Sequence, residues 1–429
     1  MKFTKKLLSL TVVFLLFSFI AGSAYAERVY LDITATDVRK IVVALPAFHD
    51  LKTGHADRTR GRAMAELLGR ALEFHGFIRV VDPNTYGTGS DVDWKAYGVD
   101  FVVRGQFSRH GDNLVIEGRL QDIAENKMLA GRRYKGQLGQ QDDMVLRLGD
   151  ALVEEFTGEP GISRTSIAYV SDETGAKEVF IGDVMSRGRR QITRHKHLCV
   201  SPRFTPDGKY LAYTTYHRGN QDLYITDLRQ NKITRSLSRR KGMNLAPAFS
   251  PDGQTMVVTL SKDGSPDLYL LDRKGKIRKR LTSKMGINVS PSFSPEGKFI
   301  VFVSDRSGQP QLYTMNMTNT KVQRLTFEGK ENSEPCWSPK GDKIVYTGRV
   351  DGHYHLFIID PKGGRPIQVT SEWGDFESAT WSPDGNQLVF SRRRNGHSEI
   401  CTIFPNGKGM RVLFSLKGNQ SYPRWSARP

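Results

Sequence analysis

The sequence predicts two folds in series: an α/β domain, then an all-β, six-bladed β-propeller closed by the C-terminal strand. Three observations support this. A repeat of about 44 residues fills the second half, the first half alternates helix and strand patterns, and 41 Gly and 19 Pro divide the chain into short elements. We place the α/β domain at 27–160 and the propeller at 161–429.

Five copies of an aromatic-Ser/Thr-Pro-x-Gly motif mark the repeat. They begin at Phe204, Phe249, Phe293, Trp337 and Trp381, at spacings of 45, 44, 44 and 44 residues. Pro fixes φ and Gly tolerates positive φ, so each copy predicts a tight turn, and an apolar strand pattern follows it. A single four-stranded sheet cannot bury both faces, so the copies are expected to stack as propeller blades.

The two ends of the repeat predict the blade count. A first unit around 167–170 has the later strands of a blade but lacks its opening segment. That segment occurs at the other terminus as Pro423-Arg424-Trp425-Ser426, and Ser426 lies 44 residues after Ser382. We therefore expect six blades, the first completed by the C-terminal strand, which also protects the sheet edge.

Residues 27–160 lack the repeat. Strands are predicted at 28–34, 40–45, 77–81, 100–106, 113–122 and 128–137. A helix is predicted at 57–75, because Met64, Leu67, Leu68, Ala71 and Leu72 share one face, and a second at 141–156. This alternation indicates a small α/β domain.

The first 26 residues have the pattern of a secretory signal peptide. Lysines 2, 5 and 6 precede an apolar run at 7–21, and Ala24-Tyr25-Ala26 predicts cleavage before Glu27. A retained N-terminal anchor is the alternative; no other segment is apolar enough to span a membrane. An exported protein has no nucleic-acid partner. Its three cysteines, Cys199, Cys336 and Cys401, are an odd number and are expected to be buried free thiols.

The propeller is strongly basic, since residues 161–429 hold 42 Lys and Arg against 24 Asp and Glu. Basic residues recur before the last strand of several units; they include Arg187, Arg189, Arg190, Lys232, Arg235 and the run 273–280. Such charges either protect exposed outer strands from pairing with other chains or attract an anionic polymer or an acidic partner.

The combined plan resembles the TolB family of periplasmic propellers of the Tol–Pal system. This resemblance rests on three segments of the chain. They are the junction from Phe156-Thr157-Gly158 into 164–170, the segment 246–253, and Glu334-Pro335 before an aromatic residue. It implies a periplasmic, non-enzymatic adaptor without cofactor or metal, which supports outer-membrane integrity and constriction at cell division.

The resemblance also implies the partners. The peptidoglycan-associated lipoprotein, Pal, is expected to bind the channel face of the propeller, which bacteriocins or other outer-membrane lipoproteins could share. The inner-membrane-anchored protein TolA is expected to bind the N-terminal tail. The tail positions that match are Glu27, Arg28, Tyr30 and Asp32.

The loops that enter the innermost strands provide the candidate Pal site. Innermost strands line the propeller axis, so residues at the start of these strands are expected to ring one mouth of the channel. The candidates are Asn244, Ala246, Asn288, Ser290, Asn332, Ser333, Glu334, Phe376 and Glu377. The asparagines either cap their own turns or offer hydrogen bonds to a loop of the partner.

Two other functional classes remain as alternatives. A periplasmic propeller enzyme acting on peptide or carbohydrate would need a nucleophile or clustered carboxylates, and no G-x-S-x-G, H-E-x-x-H or Walker motif occurs. The pairs His195/His197 and His353/His355 could bind a metal or could be exposed turn residues, and no third ligand is evident. A purely electrostatic wall-binding protein would lose its partners as salt rises.

Overall fold

The computed structural model describes residues 39–86, 92–230, 232–283, 285–414 and 416–429, without the side chains of 232–234 and 246. The predicted signal peptide, the strand predicted at 28–34 and the N-terminal tail lie outside the described residues. Among those described, no helix is both long and apolar enough to cross a membrane.

In the part of the chain that the structure describes, the α/β domain is built on one mixed sheet of seven strands. Its strands, β1 to β7, are Ile41–Ala44, His49–Asp50, His55–Ala56, Ile78–Val80, Phe101–His110, Asn113–Asp122 and Lys127–Gln137. The first strand runs parallel to β4 and β5, and β5 to β7 form an antiparallel meander. The sequence did not indicate the short strands β2 and β3.

Two helices cover this sheet and carry the core of the domain. The domain's helices are Arg60–Glu73, Pro83–Tyr86, the 3-10 turn Leu138–Gln140 and Gln141–Thr157. The predicted apolar face of the first helix is buried, from Met64 to Leu72. That helix begins three residues later than predicted, because the Asp57 carboxylate caps it by accepting hydrogen bonds from the backbone N–H groups of residues 59–61.

The second half is a ring of six antiparallel, four-stranded sheets, which confirms the predicted propeller. Blade 1 consists, from the outside inwards, of Arg189–Gln191, Glu178–Asp183, Ser166–Ser171 and Gln420–Trp425. Its innermost strand is the C-terminal one, as predicted, and it pairs antiparallel with Ser166–Ser171.

The other five blades are each formed by consecutive strands, from the inside outwards. Blade 2 is Cys199–Phe204, Tyr210–Thr215, Asp222–Asp227 and Lys232–Ser238; blade 3 is Asn244–Phe249, Thr255–Leu260, Asp267–Asp272 and Ile277–Arg280. Blade 4 is Asn288–Phe293, Phe299–Ser304, Gln311–Asn316 and Val322–Arg324. Blade 5 is Asn332–Trp337, Ile344–Val350, His353–Ile359 and Ile367–Gln368; blade 6 is Asp375–Trp381, Leu388–Arg394, His397–Ile403 and Arg411–Phe414. The first-named strands contact each other around the ring and, with Gln420–Trp425, line the channel.

The basic segments lie on or next to the outermost strands, as expected for edge protection. Several of these side chains have partners: Arg189 pairs with Glu173, Arg278 with Asp272, and the Arg235 guanidinium donates to the carbonyl of Arg273. All three cysteines are unpaired, but only Cys199 and Cys401 are fully buried. Cys336 is partly exposed because it occupies a position that faces the channel.

The α/β domain docks on blade 6 through the end of its first helix. The carbonyl of Phe74 accepts hydrogen bonds from Gln387 Nε2 at 2.9 Å and Arg411 Nη2 at 2.7 Å. The Arg411 guanidinium also lies 4.2 Å from the centroid of the Phe74 ring. Gln387 follows the Ser-Pro turn of blade 6, so the domain contacts the end of the propeller at which the innermost strands finish.

Candidate partner-binding site at the channel mouth

The channel has two different ends. We call the end at which the six innermost strands begin the channel mouth. The loops from the outermost strand of one blade to the innermost strand of the next lie on this face, because the four strands of a blade alternate in direction. The Ser-Pro turns lie at the opposite end, near the α/β domain.

The asparagines predicted to ring this mouth are buried. Asn244 and Asn288 are fully inaccessible, and Asn332 is 3% exposed. The Asn288 amide donates to Asp267 Oδ1 at 3.0 Å and to the carbonyl of Gly286, while its oxygen accepts from Arg306. Asn332 likewise donates to Gln311 Oε1 and to the carbonyl of Glu328.

These contacts favour the turn-capping alternative. The Asn244 amide donates to two backbone carbonyls of its own loop, at Arg240 and Gly242. The expectation of free asparagine amides facing the channel is therefore not met, because closing each loop onto its blade consumes their hydrogen-bonding groups. Phe376, at the same phase in blade 6, is also fully buried and lies 5.6 Å from the ring of His355.

The residue two positions further on forms a bulge in each innermost strand. The pairing register shifts at this point in all six blades. Five of the six residues have φ between 51° and 59°; these are Ser201, Ser290, Glu334, Ser378 and Tyr422. The sixth is Ala246, whose side chain lies outside the described ones. Residues other than glycine seldom adopt a positive φ, so the surrounding structure must hold each bulge in this conformation. The bulge redirects the strand.

Glu334 links two neighbouring blades at this bulge. Its carboxylate accepts hydrogen bonds from Ser378 N at 2.7 Å and Ser378 Oγ at 2.9 Å, and from Thr347 Oγ1 at 3.3 Å. The preceding residue, Ser333, is half-buried. Glu334 is therefore at the predicted mouth but is held in place by the wall of the channel.

Glu377 is the second acidic group of the mouth. The pKa of its carboxyl is raised to about 7, chiefly by partial burial; the nearby charges of Glu334 and Asp375 contribute to the rise, and Arg393 opposes it. Asp375 itself pairs with Arg393 at 2.8 Å. The mouth thus holds a carboxyl group whose charge changes near neutral pH.

Exposed apolar side chains lie on the same face of the propeller as these acidic groups. They lie in the loops before the innermost strands of blades 2, 4, 5 and 6; they are Leu198, Met285, Ile287, Phe327 and Trp373, with 36% to 73% of each exposed. The sequence analysis missed these residues. A signal was present, since they are large apolar side chains in loops, outside the alternating pattern of the strands.

The candidate metal ligands do not converge. His195 stacks on His217 and lies 3.2 Å from the Tyr213 hydroxyl, and His353 lies 3.4 Å from Asp375. Across the described ranges, no group of three His, Cys, Asp or Glu side chains could hold a metal ion. The tail candidates Glu27, Arg28, Tyr30 and Asp32 lie outside these ranges.

Comparisons with known proteins identify the family of both domains. Residues 153–428 match the family model described as the TolB beta propeller domain, and residues 29–129 match that of the TolB amino-terminal domain. A crystal structure of TolB from Acinetobacter baumannii matches with a TM-score of 0.81 at 26% sequence identity, covering 92% of this chain and 98% of that one.

Curated relatives match over shorter stretches. The Tol-Pal system protein TolB of Desulfotalea psychrophila is 46% identical over 230 residues, which is 54% of this chain and 52% of that protein. The protein of the same name from Desulfosudis oleivorans is 36% identical over 224 residues, covering 50% of this chain and 51% of that protein. The chain spans about half the length of the curated relatives that it matches.

Proposed function

We propose, since this chain belongs to the TolB family, that it is a periplasmic, non-enzymatic adaptor of the Tol–Pal system. Its propeller (161–429) would bind Pal at the channel mouth, and its α/β domain (27–160) would present the tail that binds TolA. In this role it would support outer-membrane integrity and constriction during cell division. The relatives named as Tol-Pal system proteins support the assignment to this system.

The observation that carries the Pal proposal is the set of exposed apolar side chains in the loops of the channel mouth. We call this set, Leu198, Met285, Ile287, Phe327 and Trp373, the apolar rim. Large apolar side chains that stay exposed together on one face are typical of protein-binding surfaces, especially around a concave centre. Ile287 is 46% exposed and Met285 is 55% exposed on one loop, and Trp373 is 58% exposed on another. The bulge residues Ser290 and Glu334 lie at the mouth inside this rim, where they could orient a partner loop.

The test is a binding titration of purified Pal against single variants of the rim. Ile287→Asp is expected to weaken binding at least tenfold, because it places a charge in a desolvated apolar contact. The matched control is Ile367→Asp. Ile367 is 66% exposed but lies on the outermost strand of blade 5, away from the channel. Equal affinity of both variants for Pal would contradict the proposed site.

Salt separates this proposal from electrostatic wall binding. A complex held by apolar contacts should survive moderate salt, whereas binding to an anionic polymer should fall steeply as the Debye length shortens. Asn288→Ala is a poor probe of the interface, since it would remove the buried hydrogen bonds to Asp267 and Arg306 and so destabilise blade 4.

The TolA part of the proposal concerns the tail. A variant with Arg28, Tyr30 and Asp32 changed to Ala is expected to lose TolA in a pull-down while keeping its affinity for Pal. Loss of both partners would indicate a folding defect, and retention of TolA would contradict the tail assignment.

A further inference from the structure

The end of the channel opposite the mouth widens into a cavity of about 460 Å³. We call it the turn-side cavity. Its wall is formed by the last residues of the innermost strands and by the Ser-Pro turns that follow them. Pro206, Pro251, Pro295, Pro339 and Pro383 contribute one side chain each from successive turns.

One position of the repeat explains both the space and the charge of this cavity. It is the residue before the final aromatic of each innermost strand; around the ring these are Arg203, Ala248, Ser292, Cys336, Thr380 and Arg424. Four of the six are small, which leaves the cavity open. The two arginines belong to the innermost strands of blades 2 and 1, which are neighbours in the ring.

Neither arginine is paired with a carboxylate among the described residues. Arg203 Nη1 donates to the carbonyl of Pro202 at 3.1 Å. Arg424 Nη1 donates to the carbonyls of Ser378 and Pro423, both at 3.2 Å. Arg424 is only 9% exposed, and its Nε has no hydrogen-bond partner within the described ranges. A guanidinium has five N–H donors, so most of the donors on this pair remain available.

The carboxylate that acts on Arg203 is engaged elsewhere. Glu334 is the acidic residue whose charge affects the pKa of Arg203, but its oxygens already accept hydrogen bonds from Ser378 and Thr347. The pKa of Arg203 is lowered to about 10, chiefly by burial, with Cys336 and Glu334 acting in the opposite direction. Two guanidinium groups without a carboxylate partner lose solvation in a partly dehydrated cavity, so an anion within reach of both would be favoured.

We propose that the turn-side cavity is a binding site for a small oxyanion, a carboxylate or a phosphate group, held between Arg203 and Arg424. Guanidinium groups bind both kinds of oxyanion through paired, parallel hydrogen bonds. The Ser292 and Thr380 hydroxyls line the same cavity and can supply further hydrogen bonds. This site is independent of the proposed adaptor role, which uses the other end of the channel.

Calorimetric titration of the intact protein tests the proposal with two probes, inorganic phosphate and succinate. Sodium chloride at matched ionic strength is the reference. Saturable binding of phosphate, of succinate or of both supports the site and shows which oxyanion source it prefers. If neither phosphate nor succinate binds, the proposed oxyanion site is overturned.

The variants assign the binding to the two arginines. The double variant Arg203→Ser and Arg424→Ser is expected to bind at least tenfold more weakly, while Arg365→Ser, an exposed site on a loop of blade 5, is expected to bind normally. Serine already occupies this ring position in blade 4, as Ser292, so the double variant should fold. Equal binding by the double variant would mean an adventitious ion only and would overturn the proposal.

Cys336 supplies a second readout at the site itself. It is the one cysteine of the three that is partly exposed, and it lines the cavity. The oxyanion that binds should slow alkylation of Cys336 by neutral iodoacetamide in the wild type but not in the double variant, as measured by mass spectrometry. Equal protection in both proteins, or protection in neither, would contradict the assignment.

Discussion

At the scale of single residues, the channel mouth contains residues whose backbone conformation or ionised form is energetically unfavourable in the folded protein. Ser290, Glu334 and Ser378 adopt left-handed backbone conformations, and Glu377 is half-buried near two other acids. A cost of about 1–3 kcal/mol per strained residue is tolerated only where the surrounding structure enforces it. Such positions concentrate at functional sites, which is consistent with the proposed Pal interface.

The raised pKa of Glu377 predicts a pH dependence of stability. Its pKa is about 7 in the folded protein against 4.5 for the unperturbed group, so the folded state binds more protons between these values. The free energy of unfolding should therefore fall as pH rises from 4.5 through 7. Glu377→Gln is expected to remove this loss and to be more stable than wild type at pH 8, by on the order of 2 kcal/mol, but not at pH 4.5.

Urea unfolding of both proteins at pH 4.5 and pH 8 measures this difference. Glu296→Gln is the matched control, because Glu296 is an exposed carboxylate on the Ser-Pro turn of blade 4. The same stability difference between Glu377→Gln and wild type at both pH values would argue against a raised pKa of Glu377.

The sequence predicts the positions of residues at the channel mouth but not the directions of their side chains. The repeat phase located Asn244, Asn288 and Asn332 at the start of the innermost strands, which is correct. It could not give the direction of the side chains, since a bulge two residues later changes which side of the strand faces the channel. The exposed rim was missed for a related reason: loop side chains such as Ile287 follow no periodicity that would assign them to a face.

At the scale of elements, the innermost strands and the closure of the ring determine the architecture. These features were predictable because the turn motif recurs at a nearly constant spacing and because one copy is divided between the two ends of the repeat. In the structure, Trp425 Nε1 donates to Thr165 Oγ1 at 2.7 Å, and Ser426 N donates to the Ser166 carbonyl at 2.8 Å. The boundaries of strands were less accurate, because side-chain pattern does not show where backbone pairing ends.

Removal of the closing strand tests its contribution. Deleting residues 421–429 exposes the edge of Ser166–Ser171 and the core around Trp425, so the melting temperature should fall by more than 10 °C, or the protein should become insoluble. Deleting only residues 427–429 leaves the strand and its bond to Ser166 in place and should change the melting temperature by a few degrees at most. Similar melting of both truncations would show that the ring does not depend on this strand.

At the scale of the whole molecule, the α/β domain and blade 6 are joined through a closely fitted contact. Phe74 packs in a buried apolar cluster with residues of blade 6, and its carbonyl accepts the hydrogen bonds from Gln387 and Arg411. Gly76 shows how close it is, because a Cβ at this residue would lie 2.0 Å from Cζ of Phe404. Next to it, His75 Nε2 accepts a hydrogen bond from the Ile162 N–H at 3.0 Å, while Nδ1 lies 2.9 Å from the Ala71 carbonyl. Burial lowers the pKa of His75, so the ring is held neutral between these two backbone groups.

Gly76→Ala is expected to weaken the contact between the domains. Both Gly76 and Gly111 have positive φ, but no atom of the described residues lies within 4 Å of a Cβ built at Gly111. Gly111→Ala therefore carries the backbone strain without the clash and serves as the control. Gly76→Ala should be destabilised by about 1–3 kcal/mol more than this control, and calorimetry should show two separate unfolding transitions. One transition, with the stability of the control, would contradict a close interdomain contact.

The closed ring also has a consequence in time. Ser166 pairs with Ser426, which lies 260 residues later in the chain. Blade 1 therefore cannot be completed before the C-terminal strand has joined it. In any folding intermediate that lacks this strand, the inner edge of Ser166–Ser171 has no partner and is open to pairing with another chain. A factor that shields this one edge until the ring closes would therefore raise the yield of folded protein.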